Sequence, residues 1–410
     1  MGNSRKTIYQ ALGREPVHPF PARMAPEVVL GIIPEAGKPL RVLDPMMGSG
    51  TVIALAQSKG HGATGIDIDP LAVLISRVWT TALDAAEVRA AAAEVLGSAR
   101  GKYPKLSARE AFPLDADDET KGFVRFWFDG RARRQLAALA RSIADVPNAA
   151  VRDALWCAFS RLIITKRSGA SLAMDISHSR PHRAFSRAPV NPFEKFLAAA
   201  DRVASNCVDK RNCSRGPAAD IREGDARRIP LGDATVDVVL TSPPYLNAID
   251  YIRCSKFSLV WMGYTTSELR RLRAGGVGAE ARREAIMGDP EIGQIASKMS
   301  LRPALGPREE GLLWRYIDDM RVALREASRV LAPGGRAVYV VGDNTIKGTF
   351  IRNSVVVSAA AELAGLRVAR RQSRDLPANR RYLPPPSKDR VAAMDGRMRR
   401  EVVLTFTKPP

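Results

Sequence analysis

The tetrapeptide Ser242-Pro243-Pro244-Tyr245 combines residue types that hold hydrogen-bond acceptors in a fixed place. Ser242 and Pro243 each precede a proline, which favours extended backbone angles, and the two proline rings fix φ at their own positions. This sequence predicts a stiff turn that presents the Ser242 hydroxyl oxygen and the Pro243 carbonyl as two acceptors, with an aromatic face beside them. Taken alone, a Pro-Pro-aromatic tetrapeptide is more often a rigid loop after a strand, so its meaning depends on its neighbours.

A glycine turn lies upstream of the tetrapeptide, in DPMMGSGT at residues 44–51. Gly48 and Gly50 let the backbone turn sharply and approach a ligand closely. Asp67 ends the next predicted strand about twenty residues on, where a carboxylate can accept both hydroxyls of a ribose. Ile53 stands where a dinucleotide loop would have its third glycine, which counts against NAD. S-adenosylmethionine (SAM) has no phosphate and needs no such cradle.

Two blocks of alternating strand and helix patterns must position these residues, and a long, arginine-rich helical stretch separates the blocks. The first block reads as the strands RVLD and ATGIDID around a helix that ends at Gly60. The second block contains the strand patterns DIREG, DVVLT, RAVYVVGD, LRVARRQ and EVVLTFTK, with helices over residues 311–331 and 354–365. The sum predicts an α/β fold, a doubly wound, Rossmann-like, three-layer sheet of seven strands with an antiparallel strand at one edge.

The same patterns divide the chain into five segments, and the middle one is a mainly helical insert between the second and third strands of the sheet. Helices are predicted there over residues 85–96, 131–146 and 151–165. The predicted segments are 1–83, a cofactor-binding half of the core; 84–219, the helical insert; 220–263, core with the tetrapeptide; 264–310, a loop-rich insertion; and 311–410, the C-terminal core strands and helices.

Five motifs in this order, HPFPARMAP, DPMMGSGT, GIDIDP, GDARRIP and TSPPY, resemble the SAM-dependent amino-methyltransferases that modify exocyclic amines of DNA bases. The resemblance covers the sheet-forming parts of the chain and leaves the helical insert uncovered. It implies the seven-stranded methyltransferase sheet and SAM as the cofactor. It also implies that Asp44, Gly48 and Gly50 surround the methionine part of SAM and that Asp67 holds its ribose.

The remaining cofactor contacts implied by the resemblance come from three other motifs. Asp225, a third acidic strand end, would face the adenine amine together with Ala226. The segment from Phe20 to Arg23 would close over the cofactor. Where the family usually has phenylalanine after Asp-Pro, this chain has Met46, whose thioether can still pack against a ring. The other implied cofactor-binding residues are Phe20, Pro21, Ala22, Arg23, Pro45, Met46, Thr51 and Ile68.

The resemblance gives the tetrapeptide a reaction to perform. An exocyclic base amine is a poor nucleophile because its lone pair is delocalised into the ring. Acceptors on both amine hydrogens would draw the nitrogen toward a tetrahedral shape, and holding nitrogen and methyl carbon about 3 to 3.5 Å apart lowers the barrier further. Tyr245 would stack on the extruded base. The predicted catalytic residues are Ser242, Pro243, Pro244 and Tyr245.

Serine at the first position of the tetrapeptide resembles the variants that act on cytosine N4, whereas aspartate there more often accompanies adenine N6. We therefore expect a site-specific DNA methyltransferase with cytosine N4 favoured and adenine N6 as the alternative. Two other functions stay open: an RNA methyltransferase acting on guanine N2, and a nucleic-acid-binding regulator that keeps the cofactor pocket without turnover. An intact glycine loop and a complete tetrapeptide argue against the regulator.

Substrate contacts are predicted downstream of the tetrapeptide, in the insert and near the C-terminus. The insert resembles the target-recognition region of one arrangement of these enzymes by its position, and its arginines can contact phosphates. The HSRPH pattern in the insert has no accompanying carboxylate or cysteine pattern, so no metal site is expected. The predicted substrate-binding residues are Asn247, Asp250, Tyr251, Arg180, His182, Arg183, Arg380 and Arg381.

Charge and composition agree with a nucleic-acid partner. Lys and Arg number 63 against 43 Asp and Glu, a net charge of +20 that favours a polyanion, here duplex DNA with a flipped base. No apolar run approaches the roughly twenty residues that span a bilayer, and MGNSRKTIYQ lacks a secretory apolar stretch. We expect a cytoplasmic protein, nucleoid-associated when on DNA, with a restriction nuclease or phage-defence component as a candidate partner. Four irregularly spaced cysteines predict neither a disulfide framework nor a paired zinc site.

Overall fold

Seven strands form the central sheet of the computed structural model, and helices precede the first strand and lie between most successive strands. The strands are β1 Arg41–Asp44, β2 Gly62–Asp67, β3 Asp220–Glu223, β4 Val236–Thr241, β5 Leu331–Gly342, β6 Arg367–Asp375 and β7 Arg400–Thr407. The residues that the structure describes are 7–20, 23–35, 37–165, 168–176, 181–209, 217–246, 250–278, 288–299, 301, 305–346, 349–376 and 400–410.

The strand order is β6-β7-β5-β4-β1-β2-β3, which confirms the predicted doubly wound, Rossmann-like α/β fold. The pairs β1 with β4, β2 with β3, and β4 with β5 are parallel. Strand β7 runs antiparallel to both β5 and β6. Strand β7 is therefore the second strand from the edge of the sheet. The sequence patterns had instead predicted the antiparallel strand at the edge itself.

Helices occupy most of the remaining described chain. They are α1 Ile8–Leu12, α2 Pro26–Ile32, α3 Thr51–Ser58, α4 Pro70–Thr80, α5 Ala85–Lys102, α6 Asp118–Trp127, α7 Gly130–Ala144, α8 Ala149–Ile163, α9 Pro192–Ala204, α10 Tyr251–Leu259, α11 Thr266–Gly275, α12 Pro290–Ser297, α13 Pro307–Val330 and α14 Asn353–Leu363. Five of them, α5 to α9, lie within residues 84–219, where the insert was predicted. The segment predicted to be loop-rich contains α11 and α12. None of the helices in the described ranges is both long and apolar enough to cross a membrane.

The chain forms two compact units. The first, called the helical unit below, comprises residues 1–39, 47–223 and 250–273, and the second, called the sheet unit, comprises residues 40–46, 224–249 and 274–410. The helical unit has a core of large buried side chains from the insert and from α10, in which Phe257 contacts the ring of Trp127 edge-on. Phe257, Leu259 and Trp261, three apolar residues that follow the tetrapeptide, are all buried in this core.

In the sheet unit, the core lies on the central strands. Tyr339 of β5 and Phe406 of β7 are fully buried, and their rings meet edge-on at 6.3 Å between centroids. Along β7 every second residue from Val402 onwards is buried, as expected for a strand with one face on a core. Helices α13 and α14 pack against β5. The strand ends that carry the tetrapeptide and the first residue of the glycine loop are thereby held on a rigid base.

Close packing in the helical unit predicts opposite effects for two glycine-to-alanine substitutions. A Cβ on Gly65 of β2 would lie 2.4 Å from Met47 Sδ and 3.0 Å from Ile53, whereas a Cβ on Gly97 in α5 would meet nothing within 4 Å. Gly65→Ala should therefore lower the free energy of unfolding by about 1 to 3 kcal/mol through overpacking. Gly97→Ala should raise it by up to about 1 kcal/mol through helix propensity. Urea denaturation of both variants checks this, and equal effects of the two would contradict the packing described.

Candidate active site

The carboxyl ends of β1 and β4 are joined by a side-chain hydrogen bond within the sheet unit. Thr241, the last residue of β4, donates its hydroxyl to Asp44 Oδ1 at 2.7 Å, and both residues are buried. The same oxygen accepts the backbone N–H of Met46 at 3.1 Å. The strand order reverses between β1 and β4, and ligands of open α/β sheets bind at such a switch point. The tetrapeptide, which starts at Ser242 directly after Thr241, therefore begins beside Asp44, the first residue of the glycine loop.

The glycine loop itself continues in the helical unit, where two positions require glycine. Gly48 and Gly50 have φ of +51° and +79°, in the left-handed region that L side chains rarely adopt. A Cβ on Gly50 would also lie 2.5 Å from Ser76 Oγ and 3.3 Å from Ser76 Cα. The Ser76 hydroxyl donates to the carbonyl of Gly48 at 3.0 Å, so α4 fixes the turn from which α3 begins.

Asp67 at the end of β2 is tied to this loop. One oxygen of its carboxylate accepts the backbone N–H of Gly48 at 2.8 Å, and the other accepts that of Asp69 at 2.9 Å. Burial raises the pKa of Asp67, while these bonds and the N–H of Ile68 oppose the rise. A carboxylate offers about four acceptor positions, so Asp67 keeps acceptor capacity for a ligand. The buried hydroxyl of Thr51, at the start of α3, has no hydrogen-bond partner among the described residues.

Asp69 is a site residue that sequence reasoning missed. Its carboxylate caps α4 by accepting the N–H of Leu71 at 2.9 Å, and the buried hydroxyl of Ser255 in α10 donates to its other oxygen. Burial, and then the charge of Asp67, raise the pKa of Asp69 to about 7. The Asp-Pro pair at the start of a helix pattern signals the cap, but nothing in the sequence signals Ser255, 186 positions away.

The N-terminal segment brings three predicted residues together in the helical unit. The buried ring of Phe20 stacks on Tyr251 at 5.8 Å between centroids and 6° between planes. Its Cε1 atom lies 3.7 Å from the position of a Cβ on Gly48, so ring and glycine loop are neighbours. Arg23 donates to the carbonyl of His18. A residue predicted for the cofactor and one predicted for the substrate thus share one stack.

His18 anchors that segment to the insert and was also missed by sequence reasoning. The ring Nε2 lies 2.9 Å from Ser160 Oγ in α8, which lies 2.9 Å from Ser258 Oγ in α10, and all three residues are buried. Burial, followed by the charges of Arg161 and Arg23, lowers the pKa of His18 well below its ordinary value, so the ring is neutral.

The predicted adenine-facing residues lie in the sheet unit beside an arginine. Asp225 accepts hydrogen bonds from three nitrogens of Arg227, namely the backbone N, Nε and Nη2, the last at 2.6 Å from Oδ2. Ala226, between the two residues in the chain, is buried. Arg227 also pairs with Asp319 of α13 and donates to the carbonyl of Gly275. The carboxylate of Asp225 is therefore held in one orientation, with part of its acceptor capacity in use.

Two hydrogen bonds hold the hydroxyl groups of the tetrapeptide, one from Ser242 and one from Tyr245. Ser242 donates its hydroxyl hydrogen to the backbone carbonyl of Val340 in β5 at 3.0 Å. Its oxygen keeps lone pairs that can accept a hydrogen bond, and the acceptor role predicted for it stays a prediction. Tyr245 donates its hydroxyl to Glu401 Oε1 of β7 at 3.2 Å. Glu401 escaped the sequence analysis because 156 positions separate it from Tyr245 and its strand pattern shows no catalytic motif.

The other predicted substrate residues have local partners. Asp250 caps α10 and pairs with Arg253 and with Arg273, the latter at 2.5 Å. His182 and Arg183 form an exposed two-residue strand in the helical unit, where Arg183 lies over the ring of Phe126 at 5.4 Å. Among the described residues, no group of three potential ligands could hold a metal ion. The predicted residues outside the described ranges are Pro21, Ala22, Arg180, Asn247, Arg380 and Arg381.

The raised pKa of Asp69 gives a pH prediction. Below the ordinary value of 3.8 the group is protonated in the folded and unfolded states alike, and between 3.8 and about 7 only the folded state keeps the proton. This contribution to the free energy of unfolding is therefore lost as pH rises through that window, by up to about 1.4 kcal/mol per pH unit. We expect the difference between wild type and Asp69→Asn, measured by urea denaturation, to change across the window.

The difference should be flat above about pH 8, where both states of the wild type are ionised. Asp84→Asn is the matched control, because Asp84 caps α5 in the same way from a less buried position. A wild-type-to-Asp69→Asn difference that stays constant from pH 4 to 7 would contradict the assignment.

Comparison with known proteins identifies two relatives in sequence. The chain is 23% identical over 377 residues to the Type II methyltransferase M.MvaI of Kocuria varians, covering 83% of this chain and 79% of that protein. It is 23% identical over 303 residues to the Type II methyltransferase M.BsoBI of Geobacillus stearothermophilus, covering 66% of this chain and 57% of that protein. No family model matches the chain.

Solved structures give weaker matches. A SAM-dependent methyltransferase from Methanosarcina mazei is 8% identical with a TM-score of 0.32, over 92% of this chain and 95% of that one. A TehB-like SAM-dependent methyltransferase from Corynebacterium glutamicum is 9% identical with a TM-score of 0.28, over 91% and 82%. Scores of this size carry no weight, so the fold assignment rests on the strand order. The similarity to the two Type II methyltransferases confirms the resemblance to DNA methyltransferases that the motifs predict.

Proposed function

We propose that the protein is a SAM-dependent DNA methyltransferase that transfers a methyl group to an exocyclic base amine, with cytosine N4 favoured. The observation that carries this proposal is the orientation of Ser242. Its hydroxyl hydrogen is bound by the Val340 carbonyl, and its neighbour Thr241 is bonded to Asp44. A fixed acceptor next to the start of a glycine loop suits an amine that must be held for methylation. The sequence similarity to two Type II methyltransferases supports DNA as the substrate.

The residues around the glycine loop fit SAM. Gly48 and Gly50 hold the loop in a tight turn with positive φ and without side chains, and the buried Thr51 oxygen lacks a described partner. Asp67 keeps acceptor positions that suit ribose hydroxyls, and no phosphate cradle is required. Asp44 would face the methionine part and Asp225 the adenine. When bound, SAM supplies an activated methyl group on its sulfonium.

The tetrapeptide would prepare the amine rather than deprotonate it. The Ser242 oxygen and the Pro243 carbonyl accept the two amine hydrogens, which turns the nitrogen lone pair out of conjugation with the base. The two proline rings keep these acceptors in place, so little reorganisation is needed during the reaction. Neither acceptor is a strong base. No strong base is needed, because the proton is released to solvent only after the nitrogen has been methylated. Tyr245 would carry the extruded base on its ring face.

The choice of cytosine N4 over adenine N6 rests on serine at position 242, by resemblance. Asp250 and Tyr251 are proposed to line the target pocket, and His182 and Arg183 to contact DNA from the insert. We propose the five segments predicted from the sequence as the domain division of this enzyme. The cytoplasmic location and the restriction or defence partner stay predictions from the sequence.

Transfer of tritium from labelled SAM to duplex DNA, single-stranded DNA and tRNA tests the proposal. We expect incorporation into duplex DNA and, after digestion, the label in N4-methylcytosine. Label in N6-methyladenine would shift the base and keep the enzyme class. Incorporation into tRNA alone would indicate an RNA guanine methyltransferase, and none into any substrate would indicate a regulator, so either result would overturn the DNA assignment.

Ser242→Ala should lower kcat by about 100-fold, since it removes one of two preorganised hydrogen-bonding groups. The equilibrium affinity for SAM should be unchanged, because Ser242 is proposed to contact the base and not the cofactor. Ser373→Ala, an exposed serine in β6 of the same unit, is the matched control and should keep full activity. A Ser242→Ala enzyme with wild-type kcat would remove serine from the mechanism.

A further inference from the structure

Tyr245 needs more than the two prolines to hold its ring in one orientation. The prolines fix the backbone up to Pro244. They do not restrict the side-chain torsions of Tyr245, which set the orientation of its ring. The described contact that opposes this rotation is the hydrogen bond from the tyrosine hydroxyl to Glu401 Oε1. The acceptor belongs to β7, a strand that lies between two others in the sheet.

Glu401 is itself held in place from three directions. Its backbone is paired with Gly342 of β5 on one side and with Arg374 of β6 on the other. Its second carboxylate oxygen, Oε2, lies 3.2 Å from Arg374 Nε, and the two side chains are only 13% and 17% exposed. Because both side chains are mostly buried, this ion pair is screened less by solvent than an exposed pair. The carboxylate is therefore a fixed acceptor for the tyrosine hydroxyl.

We propose that Glu401 is a positioning residue that sets the orientation of the Tyr245 ring for stacking on the target base, and that Arg374 fixes its carboxylate. The proposal rests on the function proposed above. A ring that is already oriented stacks without first losing rotational freedom, so the loss of the hydrogen bond should weaken productive base binding. The contact with Glu401 is made by the hydroxyl at the rim of the ring and not by the ring face.

A different role for Glu401 predicts different data. If it only joined β6 and β7, its removal would lower stability and would affect activity independently of Tyr245. If it positions Tyr245, removal of the tyrosine hydroxyl should produce the same defect as removal of the carboxylate. The two changes made together should then cost no more than either one alone, because both break the same interaction.

A double-mutant cycle distinguishes these roles. The enzymes are wild type, Tyr245→Phe, Glu401→Ala and the double variant, assayed with labelled SAM on duplex genomic DNA. We expect each single change to lower kcat/KM by about tenfold, as for loss of one hydrogen bond to a charged group, mostly through a higher KM for DNA. The double variant should equal the single ones, and equilibrium SAM affinity should be unchanged in all four. Glu401→Gln keeps an acceptor for the hydroxyl and should recover part of the activity.

The control is Asp375→Ala, which removes a carboxylate from the pair of strands β6 and β7 that also carries Arg374 and Glu401. Asp375 and its partner Arg400 are 69% and 72% exposed, so this change should leave kcat/KM at the wild-type value. Tyr245→Phe leaves β7 untouched, so the cycle keeps one informative arm even if Glu401→Ala does not fold.

Three results would overturn the positioning role: wild-type activity in Tyr245→Phe, additive losses in the double variant, or a loss of SAM affinity that accounts for the defect. With an active wild-type enzyme, each of these leaves the proposed function standing. A wild-type enzyme that transfers no methyl group to any nucleic acid would overturn the proposed function and this inference together.

Discussion

The arrangement of the site depends on the hydrogen bond between Thr241 and Asp44 at the carboxyl ends of two neighbouring parallel strands. Both residues are buried, so loss of this bond would remove one hydrogen-bond partner from a polar group in the core, which lowers stability. Asp44 opens the glycine loop and Thr241 precedes Ser242. One bond therefore fixes the start of the proposed cofactor loop against the start of the proposed catalytic turn, although 197 positions separate the two residues.

A second set of contacts gives the insert a structural role besides its proposed part in target recognition. The buried chain from His18 through Ser160 to Ser258 attaches the N-terminal segment to α8 and α10 within the helical unit. Arg161 of α8 also donates to the carbonyl of Val17 at 2.8 Å. The segment that carries Phe20 is thus held by the insert, which makes the insert part of the proposed cofactor site.

Sequence patterns predicted the elements with strong local signals. Strands β1, β2, β4, β5 and β7 contain apolar runs, and the three long insert helices show helical periodicity, so their existence and order were predictable. Helix α9 was not predicted, although Asn191 and Pro192 form a recognisable helix start, because the preceding polar segment obscured its pattern. The groups that bind Asp69, Ser242 and Tyr245 are the Ser255 hydroxyl, the Val340 backbone carbonyl and the Glu401 carboxylate. Each reaches its partner only through strand register or helix packing. Local sequence holds no trace of such contacts.

The most direct test of the account is a crystal structure of the protein with SAM bound. The account predicts the methionine part of SAM beside Asp44, with its methyl group facing the Ser242 oxygen and the Pro243 carbonyl. A cofactor bound away from Asp44, or a methyl group separated from Ser242 by packed side chains, would contradict it.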